Sequence, residues 1–133
     1  MTPHEFKLHV FYEDTDMAGI VYYANYLKFI ERGRSTLTRE IGIDQLEMQR
    51  NGVVFAVRKV EAEYLGAAKL NDELVIATVL QQVKGAKILF QQEVLRGDEL
   101  LFSALITVVC IGENGRATRI PADALQKFQK FSA

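Results

Sequence analysis

The 133-residue sequence has no tryptophan, one cysteine (Cys110), two prolines and two histidines. A lone cysteine excludes an intrachain disulfide framework. Its setting in the apolar run 105–111 (LITVVCI) makes it a buried, inert thiol rather than a nucleophile. Both histidines, His4 and His9, fall before residue 10, so Ser35, Ser103 and Ser132 have no histidine near them in sequence, and no Gly-x-Ser-x-Gly elbow occurs. A phosphate-cradling Gly-x-x-x-x-Gly-Lys is missing, as is any zinc-ligand spacing, so neither a metal nor a cofactor is expected. Charge of one sign is missing too: 16 Lys and Arg stand against 17 Asp and Glu, net −1. A nucleic-acid surface needs a concentrated basic face, so no nucleic-acid partner is expected. The composition does not suggest a membrane span, and the N-terminal MTPHEFK lacks the apolar core of a secretory signal. The expectation is a cytoplasmic protein with no integral membrane segment.

What is present reads as one globular domain over residues 1–133, with 49% hydrophobic and 25% charged residues. Residues 6–12 alternate as a half-buried strand. From about residue 24 the period changes: Tyr26, Leu27, Ile30, Gly33, Leu37 and Ile41 recur at helical spacing. Asn25 is placed to cap this helix and Gly42 to end it. Gly33 costs a mid-helix position about 1 kcal/mol relative to alanine, which close packing against a sheet would offset. A short polar helix or loop spans residues 44–52. The strand-like segments 53–65, 74–83, 87–96 and 100–111 follow, joined by short links that favour antiparallel hairpins. Pro121 opens a short C-terminal helix. The economical architecture is α+β: a curved antiparallel sheet wrapped around one long helix.

Between the first strand and the helix lies YEDTDMAGIVYYANY, residues 12–26. Two carboxylates, Asp14 and Asp16, precede a greasy run. A calcium loop would fit Asp14, Asp16 and Gly19, but it fails at Ala18 and at Asn25, where a bidentate glutamate belongs. A phosphotransferring Asp-x-Asp-x-Thr fails at Ala18 as well. Two readings stay open. The aspartates make turn and cap hydrogen bonds only, or they stand at the lip of an apolar slot with the run Ile20, Val21, Tyr22 and Tyr23 as its wall, where Gly19, Ile20 and Val21 are the substrate-binding candidates.

Asp16, Gly19, Val21 with Tyr22, Asn25 with Tyr26, and Glu31 with Arg34 occur in the order that marks the 4-hydroxybenzoyl-CoA thioesterase-like hotdog family. The segment closely resembles that signature, and most of all that of the small acyl-CoA thioesterases of bacterial Tol–Pal gene clusters. Residues 55–59 (FAVRK), Glu63 with Tyr64, and residues 109–111 extend the match along the chain. The resemblance implies a hotdog fold and hydrolysis of a short-chain or aromatic acyl-CoA. It implies Asp16 as the catalytic carboxylate, attacking the thioester or activating water. It further implies the backbone N–H near Tyr23, at the helix start, as the group polarising the carbonyl. Active sites between subunits follow in that family, so a homodimer or tetramer is expected. Coenzyme A brings phosphates, for which Lys84, Lys87, Arg58 and Lys59 are the candidates, Lys84 by its position in the family. Relatives often carry histidine where Tyr23 stands, which tilts the chemistry here toward the carboxylate alone. Asp14 is read as a turn residue, and Glu31 with Arg34 as a helical ion pair. The rival functions are hydration or dehydration of an acyl thioester, and non-enzymatic binding of acyl-CoA or acyl-carrier protein.

Overall fold

The computed structural model describes residues 2–132. Strand β1 (His4–His9) leads through a corner to helix α1 (Asn25–Glu40) and the short helix α2 (Gln45–Arg50). Strands β2 (Val54–Tyr64), β3 (Glu73–Lys84), β4 (Lys87–Arg96) and β5 (Glu99–Ile111) follow, and helix α3 (Ala122–Ser132) ends the described chain. One sheet runs in the order β1-β3-β4-β5-β2, antiparallel throughout. Lys84 pairs with Lys87 and Arg96 with Glu99, so Gly85 with Ala86, and Gly97 with Asp98, are the only links of the two central hairpins.

Side chains alternate across a strand, and here the alternation selects one covered face. Leu74, Ile76, Thr78 and Leu80 of β3 and Ile88, Phe90, Gln92 and Val94 of β4 are all buried. Helix α1 lies on that face and buries Tyr26, Ile30, Gly33 and Leu37 of the expected stripe together with Phe29, whereas Leu27, expected on the stripe, is 39% exposed. Each fully buried Leu, Ile or Phe stabilises the fold by about 1.5–3 kcal/mol. Helix α3 closes one end of the core, where the Phe128 ring meets those of Phe55 (5.8 Å) and Phe90 (6.4 Å). Cys110 is fully buried in β5, and burial pushes its thiol pKa up. The reading of that residue as buried holds.

Gly33 is where helix and sheet come closest. A Cβ built there would sit 2.7 Å from Cγ2 of Ile76 and 3.4 Å from Nε2 of Gln92. Gly33→Ala is therefore expected to destabilise the protein despite alanine's better helix propensity. The gain of about 1 kcal/mol meets a clash of about 1–3 kcal/mol with a side chain that has no exposed direction in which to retreat. Urea unfolding of both proteins checks the sign; a higher midpoint for the variant would mean that α1 lifts off the sheet at little cost.

Two differences from expectation bear on the corner between β1 and α1. Strand β1 ends at His9, because the following donors leave the ladder: Val10 N–H bonds the Asp72 carbonyl (2.9 Å) and Phe11 N–H bonds the Asp14 carboxylate (2.8 Å). Asn25 does not cap α1. The cap position is Ala24, without a side-chain bond, and the Asn25 amide instead reaches back to the Asp14 carbonyl (3.0 Å).

Candidate active site

Residues 12–26 fold into a tight corner. The Asp14 carbonyl accepts the Tyr22 N–H (2.9 Å) as well as the Asn25 amide. Thr15 and Val21 form an antiparallel bridge, and Ile20 forms another with Lys69. At the tip, Asp16 N–H donates to the Ile20 carbonyl (2.9 Å) and Gly19 N–H to the Asp16 carbonyl (3.0 Å). Gly19 has φ +79°, in the left-handed region where a side chain would be strained. Asp16 Oδ1 accepts the Ala18 N–H (2.9 Å), while Oδ2 makes no hydrogen bond among the described residues. The Asp16 side chain is exposed on the surface of the chain.

From this tip the chain turns into α1. The N–H groups of Tyr23 and Ala24 donate to no acceptor among the described residues, while Asn25 N–H bonds the Tyr22 carbonyl (2.8 Å). They are unspent donors of the kind that a helix start leaves, and the α1 dipole adds partial positive charge there. The Tyr23 peptide is held from its other side, where Tyr64 O–H donates to the Tyr23 carbonyl (2.9 Å). Burial, reinforced by the neighbouring Tyr23 and Tyr26 phenols, pushes the Tyr64 pKa up, so Tyr64 stays a donor. Beneath lie Tyr26 stacked on Phe102 (5.2 Å) and Tyr64 edge-on to Phe102 (4.9 Å), with the Tyr26 hydroxyl accepting the Ala68 N–H (2.9 Å).

The loop behind the corner is clamped by Arg96, which bonds Asp72 (2.7 Å), Glu99 (2.8 Å) and the Ala67 carbonyl (3.1 Å). Burial raises the Asp72 pKa, but the hydrogen bonds and charges of Arg96 and Lys69 outweigh it and hold the carboxyl below its usual range. Asp72 thus stays ionised, and the clamp closed, at neutral pH.

Asp16, Gly19 and Ile20 therefore share the tip of the corner, and the Tyr23 N–H stands at its other end, where the chain enters α1. Val21 is not on the wall: it is 3% exposed and packs into the core, its N–H bonded to the Ala68 carbonyl (2.8 Å). The open wall consists of half-buried Ile20 with the exposed rings of Tyr22 and Tyr23.

The basic candidates lie elsewhere. Strand β3 starts beside the corner, where Glu73 pairs with His9, and ends at Lys84. Its 12 residues, at about 3.3 Å each, put the Lys84 and Lys87 hairpin roughly 36–40 Å away along the strand. Arg58 and Lys59 are exposed on β2 at a bulge after Val57, and Lys59 reaches Glu61 (3.6 Å). The histidines are also occupied outside the corner: His4 bonds Glu40 at the end of α1 (2.8 Å), and His9 rests against Phe11 (4.4 Å between rings). Among the described residues, no group of three His, Cys, Asp or Glu side chains is arranged to hold a metal ion.

Glu31 and Arg34 do not pair. Glu31 accepts the Ser35 hydroxyl (2.9 Å), while Arg34 turns inward and donates to Gln92 Oε1 (2.9 Å). Burial lowers the Arg34 pKa, partly opposed by the Glu31 charge. Fully buried Gln92 is fixed in turn by bonds from its Nε2 to the Ile30 carbonyl (2.8 Å) and Thr78 Oγ1 (2.9 Å). Beside this network lies a cavity of about 240 Å³ between α1, the sheet and Phe128. Sequence reasoning missed both the cavity and the network. The available signal was Gln92 itself, a polar residue at an inward register of β4.

The thioesterase-like superfamily matches residues 10–128. The chain belongs to that superfamily. Two similar members are the acyl-CoA thioesterase YbgC of Haemophilus influenzae and the acyl-CoA thioester hydrolase YbgC of Escherichia coli. The first is 39% identical over 107 residues, which cover 80% of this chain and 79% of the relative. The second is 36% identical over 111 residues, 83% of each chain. A probable thioesterase from Bartonella henselae superposes with a TM-score of 0.81 at 33% identity, covering 91% of this chain and 100% of that one. A hypothetical protein from Thermus thermophilus reaches a TM-score of 0.90 at 23% identity, a likeness of fold. The fold of this superfamily member is the hotdog expected from its motif. No helix among the described residues is long and apolar enough to cross a membrane.

Proposed function

We propose that this chain is a cytoplasmic acyl-CoA thioesterase that hydrolyses short-chain or aromatic acyl-CoA to the free acid and CoA. One observation carries the reading: an aspartate with an uncommitted oxygen stands in the same corner as two unspent N–H donors at a helix start. The YbgC relatives at 36–39% identity support it. Thioester hydrolysis puts negative charge on the carbonyl oxygen, and the Tyr23 and Ala24 N–H groups are the donors for that charge. Loss of one such donor typically costs about 10²–10³ in rate. Asp16 then serves in one of two ways. It attacks the carbonyl carbon, expelling CoA thiolate and leaving an anhydride for water to cleave, or it takes a proton from the water that attacks. Placement among the small Tol–Pal-type enzymes rests on the residue 12–34 motif.

The assembly we propose is a homodimer, alone or paired into a tetramer, formed along β2. This strand is a sheet edge, and its Val54, Val57, Val60 and Tyr64 are 40–49% exposed in the single chain. Such edges call for cover, and a two-fold axis pairs a strand with its own copy running the other way. That pairing sets the Tyr64 end of one β2 against the Val54 end of the other. The Tyr23 corner of one protomer then meets the Lys84 and Lys87 end of its partner, closing the separation found within one chain.

Thiol release from a panel of acyl-CoAs is the deciding measurement. Stoichiometric binding without release would leave a binding protein instead. Replacing Lys84 and Lys87 together by alanine is expected to raise KM several-fold and change kcat less, since phosphate contacts remote from the reacting carbon are mostly uniform binding. An unchanged KM at both low and high salt would place the CoA surface elsewhere.

A further inference from the structure

The two free N–H donors at the start of α1 belong to peptide groups whose carbonyl ends are held by different partners. The Tyr23 N–H shares its peptide with the Tyr22 carbonyl, which the backbone takes through the Asn25 N–H (2.8 Å). The Ala24 N–H shares its peptide with the Tyr23 carbonyl, and there the helix supplies nothing. Its first bond takes the Ala24 carbonyl instead, from Leu27 N–H (3.2 Å), and no backbone N–H reaches the Tyr23 carbonyl among the described residues. A side chain fills the gap. Tyr64, 41 residues away in sequence, donates its hydroxyl at 2.9 Å. A carbonyl can only accept, so the direction of that bond is fixed.

The phenol is held in place by its ring. Tyr64 ends β2, where it pairs with Phe102 of β5. The ring stands edge-on to three others: Phe102 (4.9 Å), Tyr26 (5.6 Å) and Tyr23 (6.0 Å). Phe102 and Tyr26 are core residues, so the surface that orients the phenol is part of the rigid interior. The peptide group passes this hold on to its N–H. A peptide is planar, so a bond that fixes the Tyr23 carbonyl also fixes where the Ala24 N–H points. Hydrogen bonds in a chain polarise one another, so a phenol on the carbonyl makes that N–H a stronger donor. Both effects count where charge develops on a substrate oxygen, because donors aimed beforehand need no reorganisation as the charge forms. Without the hydroxyl, water would take the carbonyl and the peptide would be free to rock.

We infer that Tyr64 is a positioning residue for the thioester-polarising donor, acting through the Tyr23–Ala24 peptide without touching substrate. The inference rests on the thioesterase reading for what the donor meets. It does not rest on pairing along β2, because strand, phenol and peptide belong to one chain.

The test is Tyr64→Phe, which keeps the ring and removes the hydroxyl. With butyryl-CoA and benzoyl-CoA, kcat is expected to fall by about ten- to a hundredfold, no more than the loss of a whole donor. KM should stay within about threefold of wild type, the pattern of an interaction made in the transition state. The second readout is the infrared carbonyl stretch of bound ketone analogues of both substrates, with a methylene in place of sulfur and the carbonyl carbon isotope-labelled. Wild-type protein should lower that frequency below its value in water, and Tyr64→Phe should return part of the shift. A residue that merely props the corner would change KM and melting temperature and leave the bound carbonyl as in wild type. Replacement of Tyr64 by 3-fluorotyrosine, a stronger donor of nearly the same shape, should keep kcat and lower the frequency further. It decides the matter if Tyr64→Phe does not fold, and an unchanged frequency would then overturn the proposal. Wild-type kcat in Tyr64→Phe, or a bound carbonyl stretch equal to that of wild type, overturns it directly. If wild type releases thiol from no acyl-CoA, the hydrolase reading fails by itself. The bound ketones then decide: the role of Tyr64 survives if their stretch moves back toward its value in water in Tyr64→Phe, and falls if they do not bind or the two proteins agree.

Discussion

Asp16→Asn is expected to lower turnover by at least about 10²-fold, the lower end of what a positioned acid, base or nucleophile contributes, and to leave the fold and assembly intact. The Asp16 side chain is exposed and makes one bond, accepting the Ala18 N–H, and an asparagine oxygen accepts that bond equally well. The turn is held by backbone bonds between residues 16, 19 and 20, which the substitution does not touch. What the variant loses is the charge on the free oxygen. Asp14→Asn is the matched control. That carboxylate takes the Phe11 N–H at 2.8 Å, and it belongs to the residue whose carbonyl anchors both Tyr22 and Asn25. Asp14 is half-buried where Asp16 is exposed, so removing its charge weakens a charge-assisted bond, and the effect should show in the melting temperature more than in kcat. Single-turnover hydrolysis of a short-chain and an aromatic acyl-CoA, with melting curves, separates the two. Near wild-type rates for Asp16→Asn on both substrates would remove Asp16 from the chemistry, and an unfolded variant would return it to a turn role.

Much of the fold is legible in the sequence, because its signals are periodic and local. Alternation over residues 74–83 and 87–96 and the helical stripe from Tyr26 to Leu37 each report which face is buried, and short links can close only antiparallel hairpins. Gly33 adds a tertiary reading: a residue that weakens the helix implies close approach to something, and that something is Ile76 at 2.7 Å from the built Cβ. The corner is legible through its motif, but its internal wiring is not. Nothing local tells that the Asn25 amide reaches back to Asp14 instead of capping α1, or that Val21 faces the core while its neighbours stay open. Glu31 and Arg34 illustrate the same limit. Helical spacing makes an ion pair the economical reading, yet Gln92, 58 residues away in sequence, captures the guanidinium. Long-range partners of that kind are set by sheet register, which sequence spacing does not carry.

Register also explains why the basic candidates were the hardest to place. Lys84 and Lys87 mark the far end of the sheet from Asp16, so a site using both cannot be assembled within one chain. This makes the β2 edge the second point of greatest sensitivity. Val60 sits next to Lys59, the midpoint of Val54–Tyr64, on a strand paired to β5 on one side and open on the other. Under a two-fold axis through Lys59, Val60 of each copy stands across from Arg58 of the partner subunit, so Val60→Lys sets a new cation against an existing one at two symmetric places, with Lys59 of each copy between them. Like charges facing across paired strands are destabilising, and here they also displace the apolar cover of the edge. The single chain should tolerate the change, since Val60 is 42% exposed and the propensity difference is worth at most about 1 kcal/mol. Sedimentation is therefore expected to show monomers with unchanged circular dichroism. Turnover should fall by at least about 10²-fold although Asp16 and the Tyr23 N–H are untouched, because each monomer keeps the reacting corner and loses the surface that positions its substrate. A monomer that hydrolyses acyl-CoA at the wild-type rate would show that the corner works alone, and would leave the separation of Asp16 from the lysine hairpin without a catalytic meaning.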